Sequence, residues 1–577
     1  MSQQPYRYAR QKKLLGQVLK EMKLCHEGMI QEALSVQKKE GGLLGAILVR
    51  LKHLSEEQLQ QGLARQGGFE IVDLTTLRVP PELTQAIDAN TARMFSVLPV
   101  RRDGSKLVVA LSNPANATVL DDLRFLTGGE VEGVLAPEAQ LKEAIERAYG
   151  TAQDAMKSLV QEVVASMGPA AGGGGRRGEG PDLADAESMA NSPPVIKLLQ
   201  YILFQAIRDR ASDIHLEPFD GDFKIRYRVD GALYELEAPP PHLAMPLISR
   251  VKVMAGLDIA ETRLPQDGRI EIGIAGRPVD LRVSTLPTMY GESCVIRVLD
   301  RSVVSLDISQ VGLRENEMEM IKRYIGLPHG IVLVTGPTGS GKTTTLYSCL
   351  NYANEVGVKI ITTEDPVEYE LEGVVQIQVN EEIGVTYSSC LRSILRQDPD
   401  MILVGEIRDL DTAQIAVEAA LTGHVVFSTV HTNDAPQAVT RLLDLGIESF
   451  LISATVEAVV AQRLVRTVCR ECKVSYEPGP EVLVELDLRP EDLQGKRFAY
   501  GRGCRTCNNT GYKGRTALFE ILRFSEPIRQ MVLDGASADQ LREQARREGM
   551  RTLRESGLLA IFDGVTTVEE VIRETMG

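Results

Sequence analysis

Four apolar runs mark the second half of the chain: Ile331-Val-Leu-Val-Thr335, Val358-Lys-Ile-Ile-Thr-Thr363, Met401-Ile-Leu-Val-Gly405 and Val425-Val-Phe-Ser-Thr-Val430. Their β-branched content predicts parallel strands of an open α/β sheet. Upstream, the segments Ala211–Pro218, Ile225–Gly231, Leu264–Arg269, Asp280–Ser284 and Glu292–Arg297 alternate apolar and polar residues, the pattern of an antiparallel sheet. A helix is predicted to begin at Asn191-Ser-Pro-Pro194, with Val195, Leu198, Leu199, Ile202 and Leu203 on one face. Near the N terminus, Leu15-Gly16-x-x-Leu19 through Leu34-x-x-Gln37 recurs 29 residues later as Leu44-Gly45-x-x-Leu48 through Leu63-x-x-Gln66. Apolar spacing of three and four makes each copy a helical pair. Residues 70–150 read as a small α/β unit, with a strand at Val108–Leu111 and a helix over Pro137–Tyr149. The glycine-dense stretch Gly168–Glu187 lacks apolar periodicity and reads as a linker.

A length of 577 residues exceeds one core and suggests about four domains at roughly 150 residues each. A net charge of −15 disfavours broad nucleic-acid binding. No apolar run approaches the roughly 18 residues of a membrane span, and the polar start Met1-Ser-Gln-Gln-Pro-Tyr-Arg is unlike a signal peptide, so a cytoplasmic location is expected. The early basic cluster of Arg7, Arg10, Lys12, Lys13, Lys20 and Lys23 reads as a solvated helix face.

Directly behind the first apolar run, Gly336-Pro337-Thr338-Gly339-Ser340-Gly341-Lys342-Thr343 fills every position of GxxxxGK[ST]. Its glycines let backbone N–H groups turn toward one anion, Lys342 reaches the β- and γ-phosphates, and the Thr343 hydroxyl can ligate Mg²⁺. The other strands run into polar residues: Glu364-Asp365 after the second, Glu406 after the third, His431 after the fourth, with His424 before it. Ligands of open α/β sheets sit beyond the carboxyl ends of the strands, so all of these are expected around the phosphates. Cleavage of a γ-phosphate requires a metal-holding acid, a group that activates water and a polar sensor. Glu406 is the first choice of base and Glu364 the alternative, Asp365 or Glu364 can act through the Mg²⁺ shell, and His424 and His431 supply imidazole.

Cys469-Arg-Glu-Cys472 and Cys504-Arg-Thr-Cys507 are two CxxC pairs separated by 31 residues, the spacing of a structural four-thiolate zinc site; a redox pair is the alternative. Cys25, Cys294, Cys349 and Cys390 are isolated and expected in the core.

Thr363-Glu-Asp-Pro-Val-Glu-Tyr369, Arg392-Ser-Ile-Leu-Arg-Gln-Asp-Pro-Asp400, Met401-Ile-Leu-Val-Gly-Glu-Ile-Arg-Asp409 and Leu421-Thr-Gly-His-Val-Val-Phe-Ser-Thr-Val-His-Thr-Asn433 resemble the aspartate box, Walker B segment and histidine box of the motor ATPases of type II secretion and type IV pili. The resemblance implies a multidomain α/β protein: a RecA-like P-loop ATPase core over 306–577 with a tetracysteine zinc insertion, a preceding α+β, PAS-like domain over 188–305, a linker over 151–187, a docking α/β subdomain over 71–150 and a helical repeat over 1–70. It implies a cytoplasmic homohexamer at the inner face of the inner membrane, using ATP, Mg²⁺ and Zn²⁺, driving pilus assembly or, alternatively, type II secretion. Its implied partners are an inner-membrane platform protein and a cytoplasmic docking protein. By position in the motifs, Arg282 and Arg297 match the family's arginine fingers, and Arg269 is a weaker match. A nucleotide-binding scaffold without turnover is the competing class. The N-terminal repeat resembles domains that bind cyclic di-GMP, but Leu14 and Leu43 stand where those carry a cation, so weak or absent binding is expected.

Overall fold

The computed structural model describes residues 15–40, 44–150, 160 and 190–575, apart from breaks at 76, 78, 88, 113–117, 128, 237–238, 275–276, 300–305, 487 and 494. Lys13, Leu14, Leu43 and the expected linker at 168–187 lie outside the described residues. The chain divides into two compact units, Met1–Asp300 and Arg301–Gly577. Among the described residues no helix is long and apolar enough to cross a membrane.

In the first unit the repeat becomes two helix pairs, Leu15–Glu21 with Glu27–Glu40 and Leu44–Arg50 with Glu56–Gly67. The equivalence reaches the backbone: Lys23 and Lys52, one period apart, both take φ of 60°. Leu19 and Leu48, also one period apart, are fully buried in the same cluster. The repeated glycine serves packing. A Cβ on Gly45 would stand 2.6 Å from Leu59 Cδ1, and one on Gly16 3.2 Å from Ile30 Cγ2.

Strands β1 (Glu70–Ile71), β2 (Leu98–Asp103), β3 (Lys106–Leu111) and β4 (Val131–Leu135) form a sheet ordered β1-β4-β3-β2, covered in part by the helix Glu138–Tyr149. Six further strands, β5 (Ala211–Phe219), β6 (Asp222–Val229), β7 (Ala232–Glu235), β8 (Gln266–Ile274), β9 (Arg277–Thr288) and β10 (Gly291–Leu299), form an antiparallel sheet ordered β7-β6-β5-β10-β9-β8. The helices Pro193–Arg208 and Ala244–Ala255 share a core with its apolar face. The predicted helix start is realised, with Ser192 as N-cap and proline in the first turn. Within that core Lys252 is fully buried, its Nζ donating to both oxygens of Glu292 at 2.8 and 3.0 Å.

The second unit is built on β11 (Gly330–Thr335), β12 (Ile360–Glu364), β13 (Val375–Gln378), β14 (Met401–Val404), β15 (Val425–Val430), β16 (Val456–Val468) and β19 (Tyr512–Arg523). They lie in the order β13-β12-β14-β15-β11-β16-β19, parallel except for the β16–β19 pair. Every residue of β11, β12, β14 and β15 is buried, as two-sided burial of a parallel sheet demands. Two clusters, one containing Leu333 and Ile402 and the other Val332 and Leu403, form the core. The small ribbon of β17 (Lys473–Tyr476) and β18 (Phe498–Gly501) sits between β16 and β19 in sequence. All four isolated cysteines are buried, as expected.

Candidate active site

The glycine-rich loop leaves β11 and enters the helix Lys342–Ala353 at the carboxyl edge of the sheet. Gly336 and Gly341 take φ of 146° and 88°, and both are also confined sterically. A Cβ on Gly336 would meet Gln462 O at 2.5 Å, and one on Gly341 would meet Gln462 Nε2 at 2.8 Å. Because the N-cap is Gly341, no side chain caps the helix, and its first N–H groups remain available to an anion. Lys342 Nζ folds back onto Gly336 O at 2.8 Å and Pro337 O at 3.1 Å. Burial lowers its pKa, while nearby Glu406 raises it. Thr343 is exposed at the start of the helix, positioned for a cation beside the phosphates.

Glu406 is fixed by backbone bonds on both sides. Gly405 N donates to Thr363 O at 2.8 Å, Thr429 Oγ1 to Gly405 O at 2.7 Å, and Ile407 N to Thr429 O at 3.0 Å. The residue is 9% exposed, and its carboxylate lies between Arg408 Nη2 at 2.6 Å and His431 Nε2 at 3.3 Å. The imidazole is close enough for an ion pair but not aligned for a hydrogen bond, so Oε2 is buried without a hydrogen-bond partner. Ser340 Oγ and Thr363 Oγ1 are in the same condition at the same edge. Three orphaned polar atoms at the ends of β11, β12 and β14 fit a polar occupant such as a magnesium-bound triphosphate and its attacking water.

Glu364 differs. It is buried with both oxygens engaged: Tyr347 Oη donates to it, Thr362 Oγ1 at 2.5 Å and Gln376 Nε2 at 3.2 Å. Both of its oxygens already accept hydrogen bonds, which leaves less room for an attacking water than the unbonded Oε2 of Glu406. Asp365 is exposed beside it.

The two histidines separate, which corrects one expectation. His431 follows β15 and joins the site, its loop clamped where Thr432 N donates to Thr335 Oγ1 at 2.9 Å. His424 precedes β15, and its carbonyl accepts Gly330 N at 3.1 Å at the start of β11. Six residues of strand, about 20 Å, separate that end from the phosphate loop. His424 Nδ1 donates instead to Ala419 O at 2.9 Å, tying down the turn after the helix Leu410–Leu421. The reason is topological: a strand has two ends, and only its carboxyl end faces the ligand.

In the first unit, Arg282 and Arg297 are direct register partners on β9 and β10, followed across the sheet by Arg269 on β8. Leu281 and Val283 point into the core, so Arg282 projects from the opposite face. Arg297 Nε donates to Asp213 Oδ1 at 3.1 Å while its side chain stays half exposed, and Arg269 pairs with Asp280 at 3.1 Å.

The four sulfurs of Cys469, Cys472, Cys504 and Cys507 lie within 4.8 Å of one another, with three pairs at 3.7–3.8 Å. A tetrahedron of 2.3 Å zinc–sulfur bonds has edges of about 3.8 Å, whereas a disulfide requires about 2.05 Å. Cys504 N and Gly511 N donate to Cys507 Sγ at 3.2 and 3.3 Å, which favours thiolate. The donor set fits zinc and leaves no open position for chemistry.

One residue of this site escaped the sequence reading. Arg463 interrupts the buried strand β16, 7% exposed, next to Gly336. The available signal was the polar pair Gln462-Arg463 inside an otherwise apolar run.

Comparison with known proteins agrees with this geometry. A family model described as Type II/IV secretion system protein matches residues 188–573, and an MshEN domain model matches residues 67–155. The type IV pilus assembly ATPase PilB of Myxococcus xanthus is 42% identical over 563 residues, covering 97% of this chain and 98% of that protein. The type II secretion system protein E of Xanthomonas campestris is 42% identical over 547 residues, covering 94% and 95%. The solved ATPase DotB of Yersinia pseudotuberculosis shares the fold at 22% identity and a TM-score of 0.50, over 66% of this chain and 93% of that one. A P-loop on a mainly parallel sheet, an acid beside it and these relatives lead to one conclusion: the chain belongs to the type II/IV secretion system protein family and is one of its ATPases.

Proposed function

We propose that this ATPase drives assembly of a type IV pilus as a cytoplasmic homohexamer docked on an inner-membrane platform protein and a cytoplasmic docking protein. The observation that carries the turnover reading is Glu406, a fixed carboxylate with one unbonded buried oxygen beside the phosphate-loop lysine. Lys342 exchanges its two carbonyl partners for the β- and γ-phosphates, the N–H groups at the helix start hold their oxygens, and Thr343 holds Mg²⁺ with Asp365 nearby. Magnesium, when bound, neutralises charge on the phosphates. Glu406 takes the proton of the attacking water, and His431 senses the γ-phosphate. Arg282 and Arg297 are read as fingers supplied to a neighbouring subunit's nucleotide.

Purified assembled protein should therefore release phosphate from ATP. Mixing Arg282→Ala with Lys342→Ala chains should recover part of the turnover that each lacks alone, because a ring then contains sites with both groups intact. An inactive wild type defeats the enzyme reading in favour of a nucleotide-binding scaffold. An active wild type without recovery on mixing removes only the fingers.

Type II secretion is the second reading, favoured by the near-full-length match to a type II secretion system protein E. Deletion of the gene with assays of surface pili and of exported protein separates the two. For Cys469, Cys472, Cys504 and Cys507 we expect one zinc per chain by metal analysis. Replacement of Cys472 by Ser should lower the thermal midpoint by about 2–4 °C for each kcal/mol lost. A fully folded, metal-free wild type would rule the zinc site out. For residues 1–70 we expect weak or absent cyclic di-GMP binding, since the repeated glycines have a packing role and Leu14 and Leu43 bring no charge. Calorimetric titration showing submicromolar affinity would overturn this.

A further inference from the structure

A second buried cation lies against the phosphate loop. β16 runs parallel to β11 with Ala461 opposite Thr335, so Gln462 and Arg463 come level with the loop just as β11 ends. The guanidinium makes two directed bonds: Nη1 donates to Gln462 O at 3.1 Å and Nη2 to Asn433 O at 2.7 Å. A Cβ on Gly336 would stand 3.3 Å from Nη1, so the guanidinium fills the space that this glycine leaves open. Asn433 ends the segment that carries His431, and Thr335 Oγ1 holds the same segment by accepting Thr432 N. One arm of the planar fork thus braces the Gln462 carbonyl that packs against Gly336, and the other holds the segment carrying His431.

The charge itself calls for an explanation. Arg463 has no carboxylate at ion-pair distance among the described residues; Asp434, Glu520 and Glu574 act on it only from further away, and burial disfavours its charged form. A buried cation without a counter-ion is costly, and an apolar side chain of similar volume would pack at lower cost. Its field also lowers the proton affinity of Lys342. Two cations stand near one loop with Glu406 as the acid beside Lys342, and incoming phosphates would bring the further negative charge that Arg463 lacks at ion-pair distance.

We infer that Arg463 is a positioning residue for turnover, clamping the Gly336 turn to the His431–Asn433 segment so that Lys342 and His431 are held in one frame around the phosphates. This rests on the ATPase reading above. Lysine keeps the charge but carries its donors on one atom in place of the two ends of a planar fork, and so does not reproduce the two directed bonds at their native separation.

The test uses full-length assembled protein carrying Arg463→Ala, Arg463→Gln or Arg463→Lys, with kcat and KM for ATP, thermal midpoints, and added guanidinium chloride well below denaturing concentrations. The expected result is a fall in kcat of about a hundredfold in all three with KM within about threefold. The Arg463→Lys midpoint should stay at the wild-type value, and guanidinium ion should restore part of the Arg463→Ala turnover, since it refills the vacated slot. Wild-type kcat in any variant overturns the inference. So does full activity in Arg463→Lys, which would show that charge suffices, or a loss that follows the midpoint with no guanidinium recovery, which would show a structural role. Where Arg463→Ala does not fold, the Lys and Gln variants decide. An inactive wild type sinks the ATPase reading as well, whereas an active wild type with unaffected variants sinks this inference alone.

Discussion

The two edges of the seven-stranded sheet are made from similar residues and have opposite character. At the amino edge, polar groups have local partners: His424 Nδ1 meets Ala419 O, and Asp400 Oδ2 accepts Lys359 N at 2.7 Å. At the carboxyl edge, Ser340 Oγ, Thr363 Oγ1 and Glu406 Oε2 are buried with no hydrogen-bond partner, while Lys342 rests on loop carbonyls. Leaving buried polar atoms unpaired costs stability, about 1–3 kcal/mol each, so an edge that does so repeatedly is held ready for something else. Within this sheet the two edges are told apart by unspent hydrogen-bonding capacity, set beside the motif that marks the phosphate loop.

The hardest test of this contrast removes the cation on which the carboxyl edge converges. Lys342→Ala should abolish phosphate release, and measurable turnover would break the comparison outright. Next comes the pair of acids. Glu406→Gln should keep nucleotide affinity and lower turnover by about 10²–10⁴-fold, because an amide takes no proton from water. Glu364→Gln places an NH₂ among Tyr347, Thr362 and Gln376, all donors in the native arrangement, and should cost about 1–3 kcal/mol of stability with a smaller loss of turnover. Binding assays, phosphate release and thermal midpoints on both variants suffice. Near-normal turnover in Glu406→Gln with a dead Glu364→Gln would exchange their roles.

How far this was legible beforehand differs by residue. Four of the seven strands, β11, β12, β14 and β15, together with the phosphate loop, the strand-end position of Glu406 and the two CxxC pairs, stand out in the sequence, because a buried parallel strand and a CxxC turn write their constraints into a few adjacent positions, whereas β13, β16 and β19 appear only in the fold. The register of β9 and β10 was not legible, so the pairing of Arg282 with Arg297 appears only in the fold. His424 was misplaced because adjacency to an apolar run does not say which end of the strand is meant. Arg463 was missed because it lies far in sequence from the loop it touches, on a strand whose neighbour is set by a crossover rather than by any local pattern. Glu364 and Glu406 look alike as acids at strand ends; only the three donors around one and the free oxygen of the other tell them apart.

The smallest expected effect is the sharpest test of the two edges, since it uses a single strand. His431 and His424 flank β15, one just past each end, and both are imidazoles in one continuous motif. His431→Ala removes a group 3.3 Å from the Glu406 carboxylate and should lower kcat by about tenfold or more. His424→Ala removes the bond to Ala419 O and leaves that turn to its backbone bonds, among them Thr422 N on Glu418 O at 3.0 Å and His424 N on Ala419 O at 3.2 Å. One partly buried hydrogen bond is worth about 0.5–1.5 kcal/mol, so the thermal midpoint should drop slightly while kcat stays within about twofold of wild type. Steady-state kinetics on the two variants, prepared and assembled in parallel, reads the difference. If His424→Ala loses turnover as heavily as His431→Ala at an unchanged midpoint, the amino edge takes part in the chemistry and the division between the two edges is wrong.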